Sequence, residues 1–237
     1  MTTPRITRLK IFSYDGNNAD HSLKPFRAEV FTRNWKPPMA AAYLKQANRF
    51  TRKGGNMYNV ILRKACMADI SDIMEIESES FEPGIAESRD VFIERITTFN
   101  EGFLVLEDLN INKCIGYIAS ELWRYSEIIN NDSFALGHSI KSRHCDNGNE
   151  IYISSTGTLS SYRKHGLGGF MFDELLKILR NKRTDITSAI LIVSTEWIAA
   201  KKIYLKNNFY EICCIESFFR PINGTPSDGV VMRKIFD

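Results

Sequence analysis

The chain has 237 residues, 43% of them apolar and 11% aromatic, enough to bury a substantial core and too apolar for global disorder. No apolar run has the length of a membrane span, the polar opening "MTTPRITRLK" is not a secretory signal, and five cysteines without a C-x-x-C pair argue against a disulfide framework or a zinc site and for a reducing cytoplasm. The formal net charge of +3 is uneven, with +10 over residues 1–64 and −7 over residues 65–237. The basic segment reads as solvated or as lying against the acidic body. No zinc finger, recognition helix or RNA-binding aromatic motif accompanies it, so nucleic acid is not an expected partner.

Residues 1–56 read as a basic extension. Within it "RITRLKIFSY" has the pattern of a strand, "NWKPPMAAAYLKQANRF" that of a Pro-Pro start followed by a short helix, and "RKGGN" that of a linker. The organised domain is expected over 57–237, beginning with the strand-like "MYNVILRKA". "ADISDIMEIESESF" places Ile70, Ile73, Met74 and Phe81 at helical spacing with acids between them, and "SRDVFIERITTF" repeats the pattern with Phe92, Ile96 and Phe99. "GFLVLEDLNINKCIGYIASELW" predicts a hairpin around an Asn-rich turn. Arg124 to Asn149 has no period and is long for a loop, a length often tied to function. A strand "EIYISSTGTL" follows, then a glycine turn, then a helix with Leu167, Phe170, Met171, Leu175, Ile178 and Leu179 on one stripe. "SAILIVST" reads as a strand covered on both faces, "WIAAKKIYLKNN" as a helix, and "FYEICCIESFF" and "VVMRKIF" as closing strands. Alternating helices and strands around one mixed sheet give an α/β class.

The glycine turn, "SSYRKHGLGG" over 160–169, is the informative stretch. A strand running through glycines into a helix makes an anion site, because the first helical N–H groups have no intrahelical partner and the peptide dipoles add positive charge there. Gly166, Gly168 and Gly169 leave the backbone open to phosphate oxygens, and Arg163 and Lys164 add charge at the mouth. A P-loop would need G-x-x-x-x-G-K-[ST], and the dinucleotide fingerprint would need a glycine at position 171; neither is present.

What stands there, Arg163-x-x-Gly166-x-Gly168 after a strand and Tyr162, resembles the acyl-CoA-binding motif of the GNAT N-acetyltransferases, with Ser160 where proline is frequent. A second stretch, "AKKIYLKNNF", is similar to that family's A-x-x-x-Y-x-x-x-G-F, with Ala200, Tyr204 and Phe209 in place and Asn208 for the glycine, a mild change at a left-handed helix terminus. Trp197 stands where an asparagine near the pantetheine is common. The resemblance covers residues 57–237 and implies a central mixed, mostly antiparallel twisted sheet flanked by helices. It implies acetyl-CoA as co-substrate, without a metal, held by Thr158, Leu159, Ser160, Arg163, Lys164, His165, Gly166, Leu167, Gly168, Gly169, Ala200 and Tyr204. It further implies an oxyanion-stabilising backbone N–H near Thr158 and Tyr204 as general acid, a phenol with a pKa of about 10 that stays protonated at working pH.

The general base is less defined. Strand alternation puts Glu150, Tyr152, Ser154, Thr156 and Thr158 on one face, a polar row with Glu150 as terminal proton acceptor; His138 and His144 in the long loop are the other candidates. Arylalkylamine acetyltransferases carry histidines where this chain has Tyr152 and Ser154. Protein N-terminal acetyltransferases often carry a glutamate where Ile192 stands, and the histone-type glutamate falls at Tyr152. Acids such as Glu75, Glu77, Glu79 and Glu82 either favour a cationic amine or form a solvated helix face. A small-molecule amine is the favoured acceptor, with a protein amine or a non-catalytic acyl-CoA module as alternatives. The oligomeric state stays open, a homodimer included.

Overall fold

A computed structural model describes residues 57–236 together with short strands at 11–12, 25–26 and 48–51. The chain divides into two units, Met1–Ala42 and Tyr43–Asp237. In the first, β1 (Ile11–Phe12) pairs antiparallel with β2 (Pro25–Phe26), so part of the strand expected in "RITRLKIFSY" is present. The helix expected before Asn48 and the linker at 52–56 fall outside the described residues. Asn48 to Phe50 are strand, not helix.

The second unit is built on an eight-stranded sheet. Its strands are β3 (Asn48–Thr51), β4 (Met57–Lys64), β5 (Phe103–Asp108), β6 (Lys113–Trp123), β7 (Glu150–Thr158), β8 (Ser188–Ser194), β9 (Tyr210–Phe219) and β10 (Ser227–Ile235), in the spatial order β3-β4-β5-β6-β7-β8-β10-β9. Every neighbouring pair is antiparallel except β7–β8. This is the mixed, mostly antiparallel sheet the family resemblance implies, extended by an edge strand, β3, that falls within residues 1–56.

Among the described residues four helices accompany the sheet: α1 (Ile70–Ser80), α2 (Arg89–Thr98), α3 (Leu167–Lys182) and α4 (Ile198–Lys206). A Cβ added at Gly157 of β7 would strike Ile76 and Ser80 of α1, whereas one at Gly116 of β6 would strike Met171 of α3. Gly157 is opposite Tyr117, the residue next to Gly116, and successive residues of a strand point to opposite faces, so α1 and α3 lie on opposite sides of the sheet. Ile70, Ile73 and Ile76 of α1 and Leu167, Met171, Leu175 and Leu179 of α3 are buried against it. Asp69 fixes the start of α1, pairing with Arg63 of β4 at 2.7 Å and accepting the Cys66 N–H at 2.8 Å. Among the described residues no helix is long and apolar enough to cross a membrane.

The long loop between β6 and β7 is ordered by two 3-10 turns, Asn131–Phe134 and Ile140–Ser142, whose Phe134 and Ile140 are buried. It also contributes Leu136 to the wall of the main cleft.

Candidate active site

β7 and β8 pair only from Glu150–Ser188 to Ile153–Leu191, after which the two parallel strands part company while both continue. The gap opens as a cleft of about 610 Å³ walled by Ser154 to Thr158, Leu191 and Ile192, the turn before α3, and Ala200 and Tyr204 of α4. That volume is in the range of sites for extended small molecules. Leu159 N–H bonds Ile115 O on β6. The alternation of an antiparallel ladder therefore turns the Thr158 N–H toward the open edge, where the oxyanion donor is expected.

The start of α3 differs from that of α2. Ser88 caps α2, its hydroxyl accepting the Val91 N–H, whereas α3 follows Gly166 in the left-handed conformation, φ +81°, with no side-chain cap. Among the described residues none of the N–H groups from Lys164 to Gly169 meets an acceptor. A Cβ at Gly169 would touch nothing within 4 Å, and one at Gly168 only Ile203 Cδ1 at 3.8 Å. Packing does not require these two glycines. They keep bare donors facing open space, a cradle that side chains would fill, and a diphosphate fits such a cradle.

Arg163 is committed elsewhere. Its Nε donates to Thr158 O at 2.9 Å and its Nη2 to Glu79 O at 2.6 Å, tying the turn to the ends of β7 and α1. Glu79 accepts the Ser160 N–H at 2.8 Å. Of the residues expected to hold the cofactor, Thr158, Arg163, Lys164, Gly166, Leu167, Gly168, Gly169, Ala200 and Tyr204 line the cleft. Leu159 is buried with its N–H spent, the Ser160 N–H is taken by Glu79, and the His165 ring packs edge-on to Tyr58, centroids 5.4 Å apart.

Tyr204 closes the far wall, its ring against Phe172 and Phe209. Its hydroxyl has no hydrogen-bond partner among the described residues, and burial pushes the phenol up to about 12. α4 ends at Lys206 with Asn207 as its cap, and Asn208 just beyond, at φ +63°, is the left-handed position for which asparagine substitutes for glycine.

The polar row expected along β7 does not form. Ala119 pairs with Ser155 and Ser120 with Ile153, so Ser154 is an extra residue, a bulge, and side-chain alternation reverses across it. Glu150 and Tyr152 therefore share a face with Ser155 and Gly157, while Thr156 and Thr158 point the other way. Glu150 lies at the closed end of the splay, 2% exposed, with Arg233 Nε at 2.8 Å and the Ser188 hydroxyl at 2.8 Å, and it is not on the cleft wall. His138 Nε2 donates to Glu121 Oε1 at 2.8 Å; burial acts to lower its pKa, but the bond and charge of Glu121 outweigh this and raise it. His144 lies against Phe99 and accepts the Leu122 N–H. Neither histidine lines the cleft.

A different carboxylate does. Glu77 of α1 is 1% exposed and sits in the cleft wall. Its Oε1 accepts the Glu87 N–H at 2.7 Å and its Oε2 accepts the Tyr117 hydroxyl, which in turn lies 2.7 Å from Ser155 Oγ. Burial raises its pKa to about 7, against the pull of the Tyr117 and Glu87 hydrogen bonds. The sequence pattern groups Glu77 with acids that either favour a cationic amine or form a solvated helix face, yet it follows Ile70 by seven residues and Ile73 by four, on the buried stripe. A charged residue at a core position was the available signal. Its neighbours behave otherwise: Glu75 pairs with Lys113 at 2.6 Å on the surface, and Glu79 holds the turn.

Residues 70–209 match the acetyltransferase (GNAT) family. Among solved structures the chain is similar to the ribosomal-protein-S18-alanine N-acetyltransferase from Escherichia coli, at 14% identity and TM-score 0.55 over 74% of this chain and 93% of that one. It is also similar to Arabidopsis thaliana Naa50 in complex with a bisubstrate analogue, at 21% identity and TM-score 0.55 over 75% and 99%. A third likeness is to the GNAT-like decarboxylase GphF in complex with isobutyryl-CoA, at 15% identity and TM-score 0.60 over 74% and 98%. Among curated proteins no sequence matches the chain.

Proposed function

The chain belongs to the acetyltransferase (GNAT) family and is an acyltransferase using acetyl-CoA; on that premise we propose that it acetylates a small cationic primary amine by direct attack within a ternary complex. The observation that carries this reading is the run of unclaimed N–H groups from Lys164 to Gly169 opening on the cleft. Such donors suit the diphosphate of acetyl-CoA, which supplies an activated thioester. The free edge of β7 receives the pantetheine arm, and the Thr158 N–H meets the charge that develops on the thioester oxygen. The ammonium first loses one proton to solvent; the free amine nitrogen then bonds to the carbonyl carbon as the C–S bond breaks, gives up a second proton, and the departing thiolate takes one from solvent. Tyr204, kept neutral by burial, donates toward that sulfur. Most of the acceleration comes from holding amine and thioester in line.

The acceptor class is supported by the rest of the cleft lining. Glu77, Glu87 and Glu196 bring carboxylates to its wall, and Phe81, Ile85, Leu136 and Phe219 bring apolar surface. That combination suits an amine with an apolar body. The test is calorimetric titration with CoA followed by thiol release from acetyl-CoA with 2-phenylethylamine, spermidine, a lysine amide and a peptide with a free N-terminus. CoA binding and preferential turnover of a small amine are expected. A folded protein that binds no CoA species overturns the reading, and turnover confined to the peptide makes the acceptor a protein. Repeating the assay without residues 1–42, which leaves β3 in place, asks whether the basic segment recruits that acceptor.

A further inference from the structure

We propose that Glu77 is the proton acceptor of the transfer, taking the amine's proton through the Ser155 hydroxyl and the Tyr117 phenol. The proposal deepens the acetyl-transfer reading of the same cleft and rests on it. Three observations carry it. Ser155 lies on the cleft wall, on the stretch of β7 left unpaired by β8, where the acceptor nitrogen must approach the thioester. From it hydrogen bonds run without a break to Tyr117 and on to Glu77, and their polarity is consistent, since Tyr117 donates to the carboxylate and so must accept from Ser155. The third is the register: Ser155 pairs with Ala119 and Gly157 with Tyr117, so alternation sets Ser155 on the same face of the sheet as Tyr117.

The proton balance is explicit. As nitrogen bonds to carbon, its N–H proton passes to Ser155 Oγ, the Ser155 proton to Tyr117 Oη, and the Tyr117 proton to Glu77 Oε2. The carboxylate becomes a neutral acid, and serine and tyrosine are unchanged. The groups facing Glu77 set when it can accept. Burial and the Glu87 carboxylate, in the segment between α1 and α2, favour its protonated form; the Tyr117 hydroxyl of β6, the Glu87 N–H and the Arg95 guanidinium of α2 favour the charged form. Arg95 is itself held between Glu87, 2.9 Å away, and Glu121, 3.9 Å away, so its charge is largely shared. The resulting pKa of about 7 lets Glu77 be ionised before attack and still take a proton near neutrality.

The test compares wild type, Glu77→Gln and Ser155→Ala in three measurements: calorimetric CoA binding, the pH profile of thiol release with 2-phenylethylamine and spermidine, and infrared difference titration of the ligand-free protein for the Glu77 carboxyl band. CoA affinity is expected to stay within about twofold in both variants. Glu77→Gln should lower kcat/KM at pH 7 about a hundredfold, with loss of the break near pH 7 and of the infrared band that titrates with it. Ser155→Ala, which alters a half-exposed hydroxyl and spares the core, should lose about tenfold. A wild type that transfers while Glu77→Gln keeps both rate and break overturns the proposal at Glu77. An unchanged rate in Ser155→Ala overturns the relay. A wild type that binds CoA but releases no thiol fails earlier, at the transfer reading itself, and takes the proposal with it.

Discussion

Gly168 lies in a helix where a side chain would meet only Ile203 Cδ1, 3.8 Å from a Cβ. The fold therefore tolerates a larger residue there, and glycine in a helix is itself unfavourable by about 0.5–1 kcal/mol relative to alanine. Gly168→Glu should leave the thermal midpoint unchanged or slightly higher while eliminating CoA binding, because its carboxylate occupies and repels the diphosphate position. Retained calorimetric binding in a folded variant would remove the cradle from the account. Tyr204 makes the complementary case. Its hydroxyl bonds to nothing among the described residues, so Tyr204→Phe costs the fold little. Turnover should drop about tenfold to a hundredfold with CoA affinity within about twofold. Burial that raises the phenol to about 12 makes it a weaker acid than an ordinary thiol near 8.5, so its contribution is hydrogen-bond donation to sulfur as the C–S bond lengthens. An equal rate in the phenylalanine variant excludes it.

The turn before α3 works as an element because Arg163 ties it to two others, β7 and α1. Its bonds to Thr158 O and Glu79 O are directed and simultaneous, which a planar guanidinium achieves and an ammonium does not. Arg163→Ala and Arg163→Lys should both weaken CoA binding three- to tenfold, a modest loss because the side chain is exposed, with kcat at saturation nearly unchanged. Full rescue by lysine would mean that charge at the mouth matters and the tie does not. This turn was legible in the sequence because its chemistry is local: the glycines, the arginine and the following helix lie within ten residues. Ala200, Tyr204 and Asn208 were legible for the same reason. The reversal on β7 was not, since a bulge depends on how β6 pairs with it, and strict alternation assigned Glu150 to a row it does not join. Glu77 stood between these cases. Helical spacing from Ile70 and Ile73 put it on the buried stripe, but only the approach of Tyr117 from β6 shows what a buried carboxylate does there.

Across the whole molecule the same carboxylate sets function against stability. Glu77 has a folded pKa of about 7, well above the usual carboxylate range, because burial disfavours its charge. Glu150 is also raised, by burial opposed by Ser188 and Arg233, and His138 is raised because Glu121 outweighs its burial. For each, the folded state holds its proton more tightly than the unfolded chain does. Their contribution is complete below the unfolded values, near 4.3 for glutamate and 6.5 for histidine, and is lost as pH rises through the folded ones. Asp69 acts in the opposite sense: burial raises its pKa, the Arg63 bonds lower it further, and its contribution is lost only as pH falls through the acid range. The urea midpoint should therefore fall between pH 5 and pH 7.5, with Glu77 alone accounting for roughly 2 kcal/mol. Glu77→Gln should flatten that decline and be the more stable protein at pH 7.5, where it is also the slower enzyme. A midpoint that rises with pH over this window, or a Gln variant with the wild-type slope, would mean that Glu77 is ionised throughout and cannot serve as a proton acceptor that titrates near neutrality. The low exposure of Glu77 explains why the two demands collide. Burial at the cleft wall brings its pKa to neutrality, and the same burial makes the charge needed for catalysis costly to the fold.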